Sequence, residues 1–592
     1  MSQKIKNIII IILFAVMTGI MTYPLVFRLG DHIAGFSSTD EPYGVIWDMW
    51  WFRYAHQHRL DYAKCDFIAY PFGIDISKYI GSNYFWEGTK HFLSMATNEI
   101  LAYNIIILLG FFLSLILMYY LVFYITHSIL AAIFSAFIFA FCPYHFARAW
   151  QHFSLSQIQW MPLYLLALFK LKDNLRVKNL LLLALAFFLV VSFNFYYAYF
   201  MIVATGIFLL YFILTKRDLK FFLKLLKTIF FAHLIVLLLI SPTFYQVYKN
   251  RKETMGAPSG HNLAQRPFND LFSQSARPLS YILPSTEHPL LGGITQNFIG
   301  TDLYGKSLTE HALYLGWIPL ILAFSVFRRY RRVNKIKNAG LGIKKDDTFA
   351  IGFFIWLAIG AWLFSQPAWW RVGPINIYMP SFFAYKILPM FRAYCRFGII
   401  VMLSIAVLAG FGLKFILARF KTNAKKIVIA GLFYGLILFE FWNYPPFKVI
   451  DLSMVPGVYH WLKEQPKDFV IAEYPLDAAS TNELYRFYQT KYAKKRINAT
   501  IPGSYANKVT RSIKKLSSIE TAPVLSWMDV RYVLVHKKDY LNSGLIEDKE
   551  ELGKIEDNTG LKFLETFDDI DVYEVVAHPK KPGVKDENAT QN

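Results

Sequence analysis

Residues 37–51 read SSTDEPYGVIWDMWW and closely follow an apolar run, 8–27, that is long enough to cross a bilayer. The stretch places three carboxylates, Asp40, Glu41 and Asp48, among bulky aromatic side chains where the first apolar run ends. A carboxylate held at membrane depth costs free energy, so it is a candidate functional group. The stretch therefore predicts a membrane protein whose first loop carries chemistry. Solvated acids beside a belt of interfacial tryptophans remain the plain alternative.

The composition of the whole chain is that of a membrane protein. Its 592 residues are 55% hydrophobic and 17% charged, whereas soluble domains have about 25% charged residues. The net charge of +21 comes largely from short basic runs between apolar segments, which membrane topology explains better than nucleic-acid binding does. The three cysteines are far apart and form no CxxC pair, so neither a thiolate metal site nor a disulfide framework is predicted.

Eleven apolar segments are candidate membrane spans, because a bilayer core of about 30 Å requires about 20 apolar residues per helix. They are 8–27, 100–124, 129–143, 156–171, 179–193, 196–214, 226–247, 311–327, 349–365, 397–415 and 427–443. Basic runs mark the cytoplasmic side of a membrane protein. The basic runs of this chain share one side only if 179–214 crosses twice, with a turn near Ser192–Phe195. The N-terminus is then cytoplasmic and the chain after the last span is extracytoplasmic.

This partition predicts three regions. Residues 1–444 form a transmembrane domain with a long first external loop at 28–98, 445–580 form an extracytoplasmic α/β domain, and 581–592 form a disordered tail. In the second region, strand-like runs such as VIAEYP and RYVLVH alternate with helical stretches such as VYHWLKEQ. The predicted fold class is a polytopic α-helical membrane protein of about eleven spans with a C-terminal α/β domain.

The first external loop predicts two helices at the membrane surface. Residues 42–57 carry three tryptophans on an amphipathic pattern, which favours a helix lying in the interface. After a YPFG turn at 70–73, the stretch YFWEGTKHFLSMA (84–96) predicts a second interfacial helix, which carries Glu87 and His91.

The loop FCPYHFARAWQHFSLSQIQW (141–160) concentrates polar side chains between two apolar segments. An arginine, Arg148, and two histidines, His145 and His152, on one confined surface suit an anionic oxygen such as that of a lipid phosphate. The alternative is that these groups satisfy helix ends and lipid headgroups.

A later loop, KILPMFRAYCRFG (386–398), contains Arg392 and Arg396 at a spacing that places both on one face of a helix. They are candidates for a clamp on a polyprenyl phosphate, although arginines near helix ends also snorkel to headgroups. Tyr196 and Tyr197 lie at the predicted turn, where they are candidates for stacking on a sugar or lining a groove for the donor. Ordinary interfacial tyrosines remain the alternative.

In their order along the chain, these motifs resemble the GT-C superfamily of integral-membrane glycosyltransferases and, within it, the bacterial membrane-protein families related to the YfhO type. The pieces that carry the resemblance are TDEPYGVIWDMWW, YPFG, PYHFARAWQHFSLSQIQWMPLYLLAL, LPMFRAYCRFG, VIAEYPL and SWMDVRYVLVH. The resemblance implies a sugar donor on polyprenyl phosphate, used at the outer face of a bacterial cytoplasmic membrane. It further implies that the acceptor is a cell-envelope glycan, lipid or protein.

The resemblance also implies roles for individual residues. The first-loop acid, Asp40 with Glu41 as its neighbour, is expected to act as the catalytic base or as a ligand of a divalent metal such as Mg²⁺ or Mn²⁺. The donor phosphate is assigned to Arg148, His152, Arg392 and Arg396. The substrate groove is assigned to His145, Tyr196, Tyr197, Asp48 and Glu87. Metal dependence stays open, because no ligand spacing requires a metal.

One base and one displacement predict inversion at the anomeric carbon. A glycosidase needs two carboxyl groups about 5–10 Å apart on either side of the bond, and the adjacent Asp40 and Glu41 fit that poorly. Motifs for nucleotide hydrolysis, zinc proteolysis and α/β-hydrolase chemistry do not occur in the sequence. Two rival functions remain: a transporter or flippase of lipid-linked sugars or polymers, which inverted repeats and broken helices would favour, and a non-catalytic scaffold whose tail recruits partners.

Overall fold

The computed structural model describes residues 3–36, 40–76, 84–255, 265–335, 345–443, 445–466, 468–476, 479–501, 504–543 and 546–583. The predicted disordered tail lies outside these residues from 584 onward.

The membrane region is almost wholly helical. Its helices are α1 (Gln3–Met21), α2 (Glu41–Gln57), α3 (Tyr84–Ala96), α4 (Glu99–Thr126), α5 (Ile129–Ala140), α6 (Pro143–Gln151), α7 (Trp160–Asp173), α8 (Val177–Phe193), α9 (Phe195–Lys216), α10 (Leu219–Met255), α11 (Asp270–Ser273), α12 (Gly292–Gln296), α13 (Trp317–Lys335), α14 (Lys345–Ser365), α15 (Pro380–Ile387), α16 (Gly398–Leu417) and α17 (Asn423–Glu440). Each of the eleven predicted apolar segments lies largely on one of these helices.

Six helices within the described residues are long and apolar enough to cross a bilayer. They contain Lys4–Met21, Glu99–Thr126, Phe195–Lys216, Leu219–Gln246, Asp347–Ser365 and Tyr394–Leu417. A seventh span results if α5 and α6, which bend by 41° at their break, count as one. The chain is therefore a membrane protein with six or seven candidate spans, and the count of eleven stays a prediction.

The helix break predicted near Ser192–Phe195 is confirmed. Asn194 separates α8 from α9, and its side-chain oxygen accepts a hydrogen bond from the backbone N–H of Tyr196 at 2.9 Å. Asparagine is a preferred N-cap because it satisfies a backbone donor that the first helical turn leaves without a partner. One long apolar stretch therefore becomes two helices.

The C-terminal region has the predicted α/β character. Short two-stranded sheets elsewhere in the chain use β1 (His32–Ala34), β2 (Lys64–Cys65), β3 (Ile74–Asp75), β4 (Trp369–Val372), β5 (Ile375–Tyr378) and β6 (Val449–Asp451). A five-stranded sheet of order β10-β11-β9-β7-β8 uses β7 (Val470–Tyr474), β8 (Lys495–Arg496), β9 (Val530–His536), β10 (Leu561–Phe567) and β11 (Ile570–Val575). Strand β7 runs parallel to β8 and β9, and β11 runs antiparallel to β9 and β10.

Helices flank this sheet. They are α18 (Gly457–Glu464), α19 (Ala479–Tyr492), α20 (Tyr505–Ser512), α21 (Thr521–Trp527), α22 (Lys537–Asn542) and α23 (Ile546–Lys554). The alternation of strand and helix confirms the predicted class of the tail, and the domain boundary near 445 stays a prediction.

The first loop and the C-terminal domain fold together. Strand β1 pairs antiparallel with β6, the strand that follows the last membrane-region helix, with His32 opposite Asp451. Helix α2 packs against α19, where the Trp47 indole N–H donates to the side-chain oxygen of Gln489 at 2.8 Å.

The tryptophans of α2 correct one prediction. The helix predicted at 42–57 exists, but Trp47, Trp50 and Trp51 are buried in the protein, so they do not form an interfacial belt. Their rings pack against residues of the first loop and of the C-terminal domain. The apolar face of the helix is therefore covered by protein instead of lipid.

Candidate active site

An open cavity of about 510 Å³ lies between α2 and α3 of the first loop and α19 of the C-terminal domain. Its lining residues are Asp40, Glu41, Gly44, Val45, Asp48, Ile76, Glu87, Lys90, Glu483 and Arg486. Four of the acids predicted from the sequence are therefore neighbours in one cavity. The lining contains five carboxylates and two cationic side chains, so an anionic molecule fits this space poorly.

Asp40 lies at the start of α2, but its side chain makes no capping hydrogen bond to that helix. Partial burial, together with the negative charge of Glu483, raises the pKa of the Asp40 carboxyl to about 6. A carboxylate with a pKa close to neutral accepts a proton more readily than an ordinary aspartate does, and it is still largely ionised at pH 7. Asp40 therefore brings to the cavity a carboxyl group that can accept a proton near neutral pH.

Glu41, the next residue, is held by two contacts. Its Oε2 lies 2.8 Å from Nδ1 of His152, and its Oε1 accepts the backbone N–H of Phe153 at 2.9 Å. The structure thus distinguishes two acids that the sequence could not. Glu41 fixes the segment after α6, whereas the side chain of Asp40 leaves the first turn of α2 uncapped and lines the cavity.

Glu310, which was not predicted from the sequence, lies at the centre of a cluster of charged side chains that includes the predicted Arg148 and Arg396. Its carboxylate accepts two hydrogen bonds from the Arg148 guanidinium, at 2.7 and 3.1 Å. It also accepts from Nη2 of Arg396 at 2.6 Å and from Nε at 3.2 Å. Burial raises the pKa of Glu310, but the two guanidinium groups outweigh burial and hold its pKa well below the usual range. Glu310 is therefore ionised, and it fixes both arginines.

His152 connects this cluster to the first loop. While its Nδ1 contacts Glu41, its Nε2 lies 4.0 Å from Oε1 of Glu310. A continuous set of polar side chains thus runs from Glu41 through His152 and Glu310 to Arg396. Residues more than 350 positions apart in the chain meet in this way.

A cationic patch continues beyond Arg396. The Arg392 side chain is 40% exposed, with Nη1 3.5 Å from the Asp270 carboxylate, and its backbone N–H donates to the Tyr196 hydroxyl at 3.2 Å. The Arg396 guanidinium lies over the Tyr196 ring at 4.7 Å. Arg266, which was not predicted from the sequence, belongs to the same patch. Burial and the nearby charge of Arg392 lower the pKa of Arg266. Arginines that repel one another in this way favour an added anion.

Two predicted groove residues lie in the protein core instead. His145 is fully buried, with Nδ1 2.7 Å from the Ala140 carbonyl and Nε2 2.8 Å from the Ser156 carbonyl. The Tyr197 hydroxyl is buried and donates to the backbone carbonyl of Leu155. Both side chains bond backbone carbonyls around the bend between α5 and the segment after α6, which explains why polar residues occur there. Neither lines the cavity. Arg148 is fully buried as well, and it reaches the site only through Glu310.

A group suited to metal binding already surrounds a lysine ammonium. Ligand atoms of Asp48, Glu87 and His91 lie within 4.8 Å of one another. However, Nζ of the buried Lys90 lies 3.1 Å from Asp48 and 2.8 Å from Glu87. Burial lowers the pKa of Lys90, but the two carboxylates outweigh burial and raise it. The ammonium group takes the position that a cation would need, so these residues do not fit a divalent metal in this arrangement. Glu41, a predicted metal ligand, uses both carboxylate oxygens on other partners.

No family model matches the chain, and no curated protein matches it by sequence. Among solved structures, the arabinofuranosyltransferase AftD from Mycobacteria has a TM-score of 0.55 at 13% identity, over 98% of this chain and 40% of that one. ArnT from Cupriavidus metallidurans bound to undecaprenyl phosphate has a TM-score of 0.49 at 10% identity, over 98% of this chain and 100% of that one. The Archaeoglobus fulgidus oligosaccharyltransferase, in complex with Zn and sulfate, has a TM-score of 0.45 at 12% identity, over 94% of this chain and 72% of that one.

The likeness to AftD shows the fold. The chain shares the fold of AftD, as the resemblance of its motifs to the GT-C superfamily predicts, and it spans 40% of the length of AftD. The narrower likeness to the YfhO type stays a prediction.

Proposed function

We propose that the protein is a membrane glycosyltransferase that moves a sugar from polyprenyl phosphate to a hydroxyl group, with inversion at the anomeric carbon. One observation carries the proposal. A cavity that contains a carboxylate of near-neutral pKa, Asp40, adjoins a set of polar side chains that ends at the arginine patch of Arg266, Arg392 and Arg396. A base on one side and cations on the other are what this transfer requires.

On the acceptor side, Asp40 removes the proton of the hydroxyl group while the hydroxyl oxygen attacks the anomeric carbon. The bond between that carbon and the phosphate oxygen breaks, and its electron pair leaves with the phosphate. A positioned general base accelerates such a step by about 10²–10⁴-fold. Since phosphate is a good leaving group, no second carboxyl group is needed to protonate it.

On the donor side, the arginines stabilise the charge that develops on the departing phosphate. Arg148, Arg266, Arg392 and Arg396 carry four positive charges, and Glu310 and Asp270 carry two negative charges. These groups together have an excess of two positive charges, which matches a phosphate dianion. Charges fixed in advance at the position where charge develops are usually the largest contribution to catalysis. Glu310 supports this role, because it holds Arg148 and Arg396 in place before the donor binds.

Several narrower assignments belong to the same proposal. The basic runs between the apolar segments support a cytoplasmic N-terminus and an outward-facing C-terminal domain, and the resemblance to the bacterial families implies a bacterial cytoplasmic membrane. The acceptor is a cell-envelope glycan, lipid or protein. No step is routed through Mg²⁺ or Mn²⁺. Lys90 supplies a cation beside Asp48 and Glu87, and metal binding by Asp40 stays a prediction.

The test is sugar transfer by the full-length protein in lipid nanodiscs, with a panel of radiolabelled polyprenyl-phosphate sugars and delipidated membrane extract as acceptor. We expect transfer from at least one donor, loss of transfer in Asp40→Asn, and a raised donor KM in Arg392→Gln. Matched controls are Asp61→Asn, an exposed aspartate of the same loop, and Arg371→Gln, an exposed arginine on the hairpin before Arg392. Both controls should retain wild-type transfer.

Failure of every donor, or full activity of Asp40→Asn, would refute the proposal. The 41° break between α5 and α6 is a feature that transporters share. The panel therefore includes an arm in sealed liposomes that measures movement of the lipid-linked sugar across the bilayer. Movement of the donor without its consumption would favour the transporter instead.

A further inference from the structure

Helix α19 of the C-terminal domain packs against the first loop. On α19, the Arg486 guanidinium lies over the Trp47 ring at 4.9 Å, and the Phe487 ring lies 5.7 Å from that of Tyr43. The Gln489 side chain accepts from the Trp47 indole and donates to the Phe67 carbonyl at 2.7 Å. These contacts fix the helix against α2 just after Asp40.

The polar face of α19 points into the cavity beside Asp40. Glu483 and Arg486 form an ion pair there and lie against the backbone of Gly44, one helical turn after Asp40. A Cβ atom at residue 44 would lie only 2.5 Å from Oε2 of Glu483 and 2.5 Å from Nη2 of Arg486. Glycine therefore gives the ion pair the space to approach α2 this closely.

Arg486 also retains bonding capacity. Its Nε is buried and has no hydrogen-bond acceptor among the described residues. A buried donor without a partner is destabilising, so its retention at a cavity wall calls for an explanation. The side chains of Arg486 and Glu483 are 20% and 29% exposed, which leaves part of each accessible from the cavity. A carboxylate that accepts and a guanidinium that donates form a matched pair for adjacent sugar hydroxyl groups.

We propose that α19 supplies the acceptor subsite, in which Glu483 and Arg486 bind the hydroxyl groups of an uncharged sugar and hold the attacking one toward Asp40. This inference rests on the proposed function and adds to it the class of acceptor. Charge favours this class, because five carboxylates in the lining repel anionic sugars. The volume of about 510 Å³ is in the range of small-molecule sites. The donor phosphate is assigned to the arginine patch of Arg266, Arg392 and Arg396, none of which lines this cavity.

The experiment measures two reactions of the donor separately: transfer of the sugar to an acceptor, and hydrolysis of the donor. In hydrolysis water takes the place of the acceptor, so the acceptor subsite is not needed. Full-length protein in nanodiscs receives an active donor and, as acceptor probes, short uncharged oligosaccharides or the same oligosaccharides ending in a uronic acid. At pH 8, where Asp40 is ionised with or without the charge of Glu483, we expect Glu483→Gln and Arg486→Gln to raise the KM for the uncharged acceptor about 10- to 100-fold and to raise the ratio of donor hydrolysis to transfer. Glu483→Asp and Arg486→Lys should recover part of the loss.

Glu464→Gln is the matched control, because it removes an exposed carboxylate from α18 of the same domain. It should change neither KM nor hydrolysis. Three results would overturn the inference: an unchanged acceptor KM in both α19 variants, an equal loss of hydrolysis and transfer, or a preference for the acidic oligosaccharide. If the wild type transfers sugar and the α19 variants have the same acceptor KM as the wild type, the subsite is refuted and the proposed function is left intact. If the wild type turns over no donor, the subsite and the proposed function are both refuted.

Discussion

Replacing Glu310 by glutamine should destabilise the protein strongly, because the change leaves buried positive charge without a counter-ion. The Arg148 side chain is 0% exposed and that of Arg396 is 11% exposed, and Glu310 accepts hydrogen bonds from both. A glutamine keeps one acceptor oxygen but turns an amide NH₂ toward a guanidinium group. Removing one partner of a buried ion pair costs about 3–5 kcal/mol.

The free energy of unfolding is measured by titrating SDS into mixed micelles of the purified protein and following tryptophan fluorescence. The control is Glu287→Gln, which breaks a pair with Lys448 at 3.1 Å whose side chains are 25% and 30% exposed. Such a pair contributes about 0–1 kcal/mol. We expect Glu310→Gln to lose several times more stability than this control, and Glu310→Asp, which keeps the charge, to lie between the two.

A double-mutant cycle tests the cause of the loss. Each single variant, Glu310→Met or Arg148→Met, leaves the charge of the other residue without this partner. The double variant removes both charges, so it should lose less free energy of unfolding than the sum of the single variants. A loss below about 1 kcal/mol in Glu310→Gln, or simple additivity in the cycle, would refute the reasoning that Glu310 is the counter-ion of both arginines.

Three further predictions concern the cavity. Asp40→Asn should lower transfer at least about 100-fold without lowering the free energy of unfolding, because its side chain caps no helix and its charge is repelled by Glu483; unfolding in SDS and transfer are compared on one preparation. Since Asp40 must be ionised to act as a base and its pKa is about 6, kcat/KM should fall as pH drops below about 6 and level off above it, and a profile flat to pH 5 would contradict this role. Lys90→Met should free Asp48, Glu87 and His91 to bind Mn²⁺, which electron paramagnetic resonance would detect in the variant and not in the wild type; no binding would show that the three groups are not preorganised as ligands.

The sequence predicted the parts of the fold that local signals determine. Each apolar run became a helix, the break at Asn194 fell within the predicted turn, and α3 begins and ends at the predicted residues, Tyr84 and Ala96. Hydropathy and capping residues act over a few positions, so they can be read without tertiary structure. The surroundings of α2 could not be predicted in this way, because the apolar face of an aromatic amphipathic helix can be covered equally well by lipid or by another domain.

The sequence named the first-loop acids and the cationic residues Arg148, His152, Arg392 and Arg396, but it missed the groups that they pair with across the fold. Glu310 is 162 positions from Arg148 in the chain, and Glu483 reaches Asp40 only because α19 docks on α2. Pairings of this kind depend on the assembled fold and leave no spacing pattern in the sequence. One signal was available for Glu310, because it directly precedes the apolar segment 311–327, where a carboxylate is costly without a partner.

Lys90 shows why residue type alone overstates metal sites. Asp48, Glu87 and His91 have the chemistry of metal ligands and converge as such ligands do. Their role is decided by Lys90, which precedes His91 and places its ammonium group beside the two carboxylates. The structure shows this contact, whereas the residue types alone do not.

The two acids that open the first loop divide their roles according to what each one touches. Glu41 is bonded to His152 and Phe153 and, through His152, is tied to the cluster around Glu310. If Glu41 took a proton from the acceptor, it would weaken those contacts during the reaction, and the arginines would lose part of their support as the phosphate charge develops. Asp40 has no such duty toward the cluster, so its protonation leaves the cations in place. The geometry therefore favours Asp40 as the base and Glu41 as the link that keeps the base and the arginine cluster in one rigid frame.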